Sequence, residues 1–307
     1  MSNKLYLKTP LLRARSLSRA LGKEVYLKME MLQPSGSFKN RGIGELVRFY
    51  HQEGKKGIIA ASGGNAGLAA AFAARKLLMK AKVVIPKSTP DFMKKKIESE
   101  GAEVIVHGEN WNKSQEYAAE LLSDPTYGFV SPFNHPKIWE GHSTLMNEIQ
   151  EKIPEPDAIL LSVGGGGLLC GVAEGCDRLS WKSEIVAVET EGAASFYASM
   201  EQGEPVVLKE LDTVASSLAS KSVTPQALEW AKKRPIHPVT VTDASTLQSL
   251  VTFAEEERLL VEPACGAALA PLYEKAPYLD NYQSIVVILC GGNLVNQDLM
   301  QEWTGAT

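Results

Sequence analysis

Short apolar runs rich in β-branched residues recur along this 307-residue chain, at 57–61, 81–86, 103–107, 127–130, 157–163, 185–189 and 285–290. Helix-forming stretches at 40–53, 66–76, 90–100, 112–122, 139–151, 224–232, 243–256 and 264–273 stand between or after them. Strands that read as nearly continuous apolar runs, alternating with helices, predict parallel sheets covered on both faces. Right-handed crossovers then bring the turns that follow the strands to one edge of each sheet, where ligands of such folds bind.

The first 34 residues carry one short helix around 16–20 and a strand-prone run at 25–30 that Pro34 stops. That is too little for a core of its own, so this segment is expected to join a sheet made elsewhere. Proline and polar residues at 131–136 interrupt the periodicity and mark a boundary.

Composition narrows the function classes. The formal charge is −4 with no Lys/Arg block, which argues against nucleic acid. No apolar run reaches the roughly 20 residues of a membrane helix and no signal-like start is present, so a cytoplasmic protein is expected. The four cysteines, 170, 176, 265 and 290, have no close metal-ligand spacing.

Three turns carry the chemistry. In Val163-Gly164-Gly165-Gly166-Gly167 four glycines close a strand, so consecutive amides can approach an anion and the next helix adds its positive end. Phosphate is the natural guest; a tight structural crossing is the plainer reading. No Gly-Lys-Ser/Thr follows, and Leu169 stands where the dinucleotide fingerprint needs its third glycine. Glu189, ending the next strand, keeps a ribose-reading acid and hence a dehydrogenase in play. In Ser62-Gly63-Gly64-Asn65 a strand turns directly into an alanine-rich helix, again offering amides to an anion. Lys39, in Ser35-Gly36-Ser37-Phe38-Lys39-Asn40, is a lysine held by a turn, which suits a nucleophile as well as an ordinary surface charge.

A lysine, an asparagine after Ser-Gly-Gly, a phosphate-sized loop and Cys290-Gly291-Gly292-Asn293 together suit an aldehyde cofactor with a phosphate tail and a ring nitrogen. In this order they resemble the fold type II, tryptophan-synthase-β-like pyridoxal-phosphate enzymes. Trp139-Glu140-Gly141-His142, Glu189-Thr190-Glu191-Gly192-Ala193 and Val261-Glu262-Pro263-Ala264-Cys265-Gly266-Ala267-Ala268 extend the resemblance to the catabolic L-serine/L-threonine dehydratases, over nearly the whole chain.

The resemblance implies two open, mostly parallel-sheet α/β domains with pyridoxal phosphate in the cleft between them: residues 1–34 with 135–307 as the large cofactor-binding domain and 35–134 as the small substrate-binding domain. It makes Lys39 the catalytic lysine that bonds the cofactor aldehyde, with Phe38 beside the ring and Asn65 on the ring hydroxyl. Gly164, Gly165, Gly166, Gly167 and Leu168 would hold the phosphate, and Cys290 would face the pyridine nitrogen. Ser62, Gly63, Gly64 and Asn65 would receive the carboxylate of the amino-acid substrate. Glu189, with oxygen atoms of Ala193 and Ser195, resembles a monovalent-cation site for potassium; an internal hydrogen-bonded acid is the rival. Glu140 and His142 are expected to orient their loop through ordinary hydrogen bonds. A homodimer is implied.

The reaction so implied is β-elimination and deamination, giving pyruvate from L-serine or 2-oxobutanoate from L-threonine with ammonia. Serine racemases of this fold carry a serine where Gly63 stands, which disfavours racemisation. Biosynthetic threonine deaminase usually adds a C-terminal regulatory domain for which this chain has no expected room. A β-replacement enzyme such as cysteine synthase uses the same lysine and loop and stays open, as does a cofactor-binding protein without turnover.

Overall fold

A computed structural model describes residues 4–304. Among these residues ten strands form: β1 (Leu11–Arg13), β2 (Glu24–Met29), β3 (Gly57–Ala61), β4 (Lys80–Ile85), β5 (Glu103–Val106), β6 (Tyr127–Val130), β7 (Ala158–Ser162), β8 (Glu184–Thr190), β9 (Ile236–Val241) and β10 (Ser284–Leu289). They make a four-stranded sheet in the order β5-β4-β3-β6 and a six-stranded sheet in the order β1-β2-β10-β7-β8-β9. All neighbours are parallel except β1 with β2. The fold is therefore the expected pair of mostly parallel α/β sheets with flanking helices.

The chain divides into two compact units. One holds the residues up to Leu7 and Gln33–His142; the other holds Lys8–Leu32 and the residues from Ser143 onward.

In the first unit every residue of β3 is buried, as a central strand covered on both faces requires. On one face Ile59, Ala61, Val84 and Ala118 form a cluster that Tyr117, Leu121 and Phe129 extend. On the other lies the helix Asn65–Lys76, buried from Asn65 to Ala74. Its alanines let the helix axis approach the strands closely while keeping high helix propensity. The helix Lys39–Gln52 packs against it, and its Ile43, Leu46 and Val47 are fully buried.

In the second unit β7 is wholly buried, and β10 is buried from Ile285 to Leu289. The segment at 24–29 does join a sheet built elsewhere, between β1 and β10. Lys28, on β2, is buried and donates to Glu148 at 2.5 Å and to the Thr9 carbonyl at 2.7 Å. A buried cation needs that compensation. The helix Pro263–Tyr273, made mostly of small residues, packs on β7, β8 and β10.

Two strands and two helices escape the sequence pattern. The strand β9 contains His237-Pro238 and β1 has three residues; both lie at sheet edges. Proline cannot donate to a ladder, so in a sheet it is confined to such edges, where alternation is weak. The helices Ser195–Gln202 and Gln297–Thr304 are short, eight residues each, and the second is capped by Asn296, whose Oδ1 accepts from the Leu299 N–H at 2.8 Å. The helix expected from 139 begins at Pro136, a residue whose fixed φ and missing N–H suit the first helical turn.

Candidate active site

The first unit gathers its predicted residues at the edge where the parallel strands end. β3 ends at Ala61 and runs through Ser62, Gly63 and Gly64 into the helix that starts at Asn65. The Gly64 N–H donates to Ser62 Oγ at 3.3 Å, and Leu68 N–H donates to the Gly64 carbonyl at 3.1 Å, which ties the turn to the helix. The start of a helix presents N–H groups that have no intrahelical acceptor, and its dipole favours an anion there. Trp111 Nε1 donates to the Ala61 carbonyl at 2.7 Å and holds the strand end in place.

Lys39 opens the helix Lys39–Gln52, and its Nζ donates to the Pro132 carbonyl at 2.9 Å, just beyond the end of β6. Because β6 pairs with β3, Lys39 and the 62–65 turn serve the same sheet edge. The Lys39 ammonium also lies 4.8 Å from the Phe38 ring centre. Lys39 and Phe38 are both half-buried, while Asn65 is buried.

His142 stands behind Phe38, with ring centres 4.8 Å apart. It is fully buried, and neither ring nitrogen has a hydrogen-bond partner among the described residues. The expected loop-orienting hydrogen bonds of His142 are therefore absent, and Glu140 pairs with Lys137 at 2.7 Å. His142 acts by packing: a Cβ on Gly42 would lie 2.6 Å from its Cε1, so glycine there admits the ring. Burial, with the positive Lys39 and Arg41 adding to it, pushes the imidazole well below its ordinary range and keeps it neutral. An unfolded histidine titrates near pH 6.5, roughly, so the unfolded state binds more protons below that point. The stability that depends on a neutral His142 is therefore present above that pH and lost as pH falls through it. Substituting His142→Phe keeps a ring and removes the titration. The melting temperature of wild type should drop relative to the variant between pH 8 and pH 5.5; a constant difference would mean that His142 is not the titrating group.

The second unit brings three sequence-remote motifs to the ends of adjacent parallel strands. The 164–167 loop follows β7, Cys290 follows β10, and Glu189 lies near the end of β8, with β7 between the other two. Gly164 and Gly165 are half-buried, and Gly166 has φ +83°, a backbone conformation that favours glycine. A Cβ on Gly164 would meet Leu218 Cα at 3.1 Å, and one on Gly166 would meet Val223 Cγ2 at 2.6 Å. Gly167 starts the twelve-residue helix Gly167–Arg178, of which Leu168 is the second residue.

Cys290 is buried, with its Sγ 3.6 Å from both Ser162 Oγ and Cys265 Sγ. Burial, then contact with Cys290, raises the Cys265 thiol well above its ordinary range, so it stays protonated. A Cβ on Gly291 would press on Glu262 Oε2 at 2.8 Å, and the Glu262 carboxylate accepts from Ser217 Oγ at 2.8 Å. Glu262 is buried beside this strand end. Its proximity to Gly291 had no local sequence signal, since 29 residues separate them.

Glu189 is fully buried, and its carboxylate accepts from the backbone N–H groups of Phe196 at 2.9 Å and Tyr197 at 2.7 Å. Burial raises its pKa to about 7, against the lowering effect of these amides and of Ser195. Ala193 closes a short 3-10 turn and Ser195 begins the next helix; both are buried, and Ser195 Oγ has no hydrogen-bond partner among the described residues. No group of three or more His, Cys, Asp or Glu forms a metal set among the described residues.

In the second unit a glycine loop without Cβ atoms before a helix start and a buried pair of cysteines suit a phosphate and a ring nitrogen, and in the first unit a tethered lysine suits an aldehyde. A family model described as pyridoxal-phosphate dependent enzyme matches residues 3–291. The chain belongs to that family. Among these pyridoxal-phosphate dependent enzymes it is 41% identical over 303 residues to "L-serine dehydratase/L-threonine deaminase" of Homo sapiens, covering 95% of this chain and 92% of the relative. It is also 41% identical over 304 residues to "Serine dehydratase-like" of Mus musculus, covering 96% and 92%. The crystal structure of a fungal L-serine ammonia-lyase from Rhizomucor miehei superposes with a TM-score of 0.93 at 36% identity, covering 98% of this chain and 99% of that one. The fold type II architecture of this family is thus the fold of this chain.

Proposed function

We propose that this protein is an L-serine/L-threonine ammonia-lyase, a dehydratase that converts L-serine to pyruvate and L-threonine to 2-oxobutanoate with release of ammonia. The observation that carries the reading is the full-length likeness to enzymes of that name in sequence and in fold. The 62–65 turn supports an amino-acid substrate because its helix-start amides suit a carboxylate.

Bound pyridoxal phosphate supplies an electron sink for the pair left on the substrate's α carbon. The amides of Gly164, Gly165, Gly166, Gly167 and Leu168 would hold its phosphate, with the positive end of the Gly167–Arg178 helix behind them. Phe38 would pack beside the ring, Asn65 would bind the ring hydroxyl, and the Cys290 thiol would face the ring nitrogen. Ser62, Gly63, Gly64 and Asn65 orient the substrate carboxylate. Lys39 would anchor the cofactor, and its amine, once released from that bond and deprotonated, would take the α proton. The β-hydroxyl would leave as water after receiving a proton that balances the one taken from the α carbon, and addition of one water would then free ammonia and the 2-oxo acid.

Several finer statements belong to the same reading. Glu189, Ala193 and Ser195 hold a monovalent cation such as potassium, supported by the buried carboxylate and the unpartnered Ser195 hydroxyl. The protein works as a homodimer in the cytoplasm; no helix among the described residues is long and apolar enough to cross a membrane.

The deciding experiment measures ammonia and 2-oxo acid from L-serine and L-threonine separately, with the cofactor-loaded protein in potassium buffer. Equal amounts of the two products establish β-elimination, and the paired rates rank the substrates. Neither product, with sulfide incorporated into an amino acid instead, moves the reading to β-replacement. Repeating the assay in tetramethylammonium salt tests the cation, where an unchanged rate would remove it. Sedimentation at twice the chain mass tests the dimer, and cell fractionation the compartment.

A further inference from the structure

Gly63 has no side chain, and the space one would take is filled from another loop. A Cβ on Gly63 would lie 2.2 Å from Thr89 Oγ1, 2.6 Å from Thr89 Cγ2 and 3.0 Å from Thr89 Cβ. Thr89 stands between β4 and the helix Asp91–Ser99, and its backbone N–H donates to the Pro86 carbonyl at 3.0 Å, which fixes the loop. The loop meets the 62–65 turn because β4 and β3 are parallel neighbours and both segments leave the same sheet edge. Thr89 is half-buried, and its hydroxyl has no hydrogen-bond partner among the described residues. A fixed hydroxyl with open hydrogen-bonding capacity thus stands against the middle of the turn.

Resting on the amino-acid reading above, we propose that Thr89 is a specificity-determining residue whose hydroxyl donates to the carboxylate of the bound amino acid. Its methyl group and Cβ take the volume that glycine leaves at position 63. A carboxylate accepts at up to about four lone-pair sites, more than a helix start alone fills with good geometry. An added hydroxyl donor completes the set and fixes the direction in which the rest of the substrate points. The same contact explains why glycine stands at 63: any side chain there collides with Thr89.

The test uses the cofactor-loaded protein as wild type, Thr89→Val, Thr89→Ser, Gly63→Ala and the double variant Gly63→Ala/Thr89→Gly. Binding of L-alanine, which has the carboxylate but no β-hydroxyl to lose, is measured by calorimetry; KM and kcat are measured with L-serine, and melting temperatures for all. Thr89→Val, nearly the same shape without the hydroxyl, should weaken L-alanine binding and raise the L-serine KM by about 10-fold or more. Its kcat should stay within about 2-fold and its melting temperature should not move, the pattern of binding lost equally from the ground and transition states. Thr89→Ser should bind like wild type. Gly63→Ala should melt lower, and the double variant should regain most of that loss. Wild-type affinity for L-alanine in Thr89→Val would overturn the hydrogen bond, and a double variant no more stable than Gly63→Ala would overturn the steric pairing. If Thr89-dependent L-alanine binding is found but no ammonia is released from L-serine or L-threonine, β-elimination fails while this assignment stands. Wild type that binds no amino acid sinks both.

Discussion

Substitution of Lys39 by alanine should lower turnover of L-serine by at least about 10³-fold, the scale of losing the proposed proton-transfer group and covalent anchor together. The fold should survive. Lys39 is half-buried at the first turn of its helix, and its side chain donates to the Pro132 carbonyl and lies over the Phe38 ring. Such contacts are worth about 1 kcal/mol each, while alanine is the best helix former. The 164–167 loop proposed to hold the phosphate belongs to other elements, so the variant should still take up cofactor. Lys39→Arg should be as inactive as alanine, because a guanidinium stays protonated and has no amine to offer. Kinetics, cofactor retention by equilibrium dialysis and thermal melts on both variants make the check. Activity within about 10-fold of wild type in either variant would remove Lys39 from proton transfer.

Substitution of Gly67 by alanine should be nearly as damaging, for a steric reason. The added methyl carbon would lie 1.9 Å from the Ser62 carbonyl oxygen and 2.9 Å from Val83 Cγ1. One obstacle is backbone and the other is a fully buried side chain of β4. No rotamer relieves the first contact, so the helix start must move away from the turn by about an ångström. Overpacking of this kind costs about 1–3 kcal/mol. A displacement of that size in substrate-positioning groups costs about 100-fold in rate, so kcat/KM for L-serine should fall by at least that much. Gly64→Ala is the stability control: a Cβ there meets nothing within 4 Å, so its melting temperature should match wild type. If Gly67→Ala melts and turns over like wild type, the close contact between turn and helix is not a constraint on the site.

These effects also separate what the chain reveals by itself from what its folding adds. The alternation of apolar runs and helices determined the parallel α/β class, because strands buried on both faces must be apolar at every position, as β3 and β7 are. The turns that carry Lys39, Ser62-Gly63-Gly64-Asn65 and the 164–167 glycines were legible for a related reason: each needs turn chemistry just before a helix start, and glycine, serine and proline report that locally. Edge elements were not legible. β9 tolerates His237-Pro238 and half-exposed positions because it pairs on one side, so neither alternation nor continuous apolarity was imposed on it.

Tertiary structure alone decided which distant groups meet. Strand order sets β10 beside β7 and so brings Cys290 near Ser162, 128 residues away in sequence. It sets β4 beside β3 and so places Thr89 against Gly63, where a glycine without its neighbour would read as simple flexibility. It leaves His142 buried with no hydrogen-bond partner among the described residues and turns Glu189 onto the amides of Phe196 and Tyr197. Local sequence records the backbone conformation each residue must adopt. Burial, desolvation and close approach depend on what the sheet brings alongside, and those are properties of the folded chain.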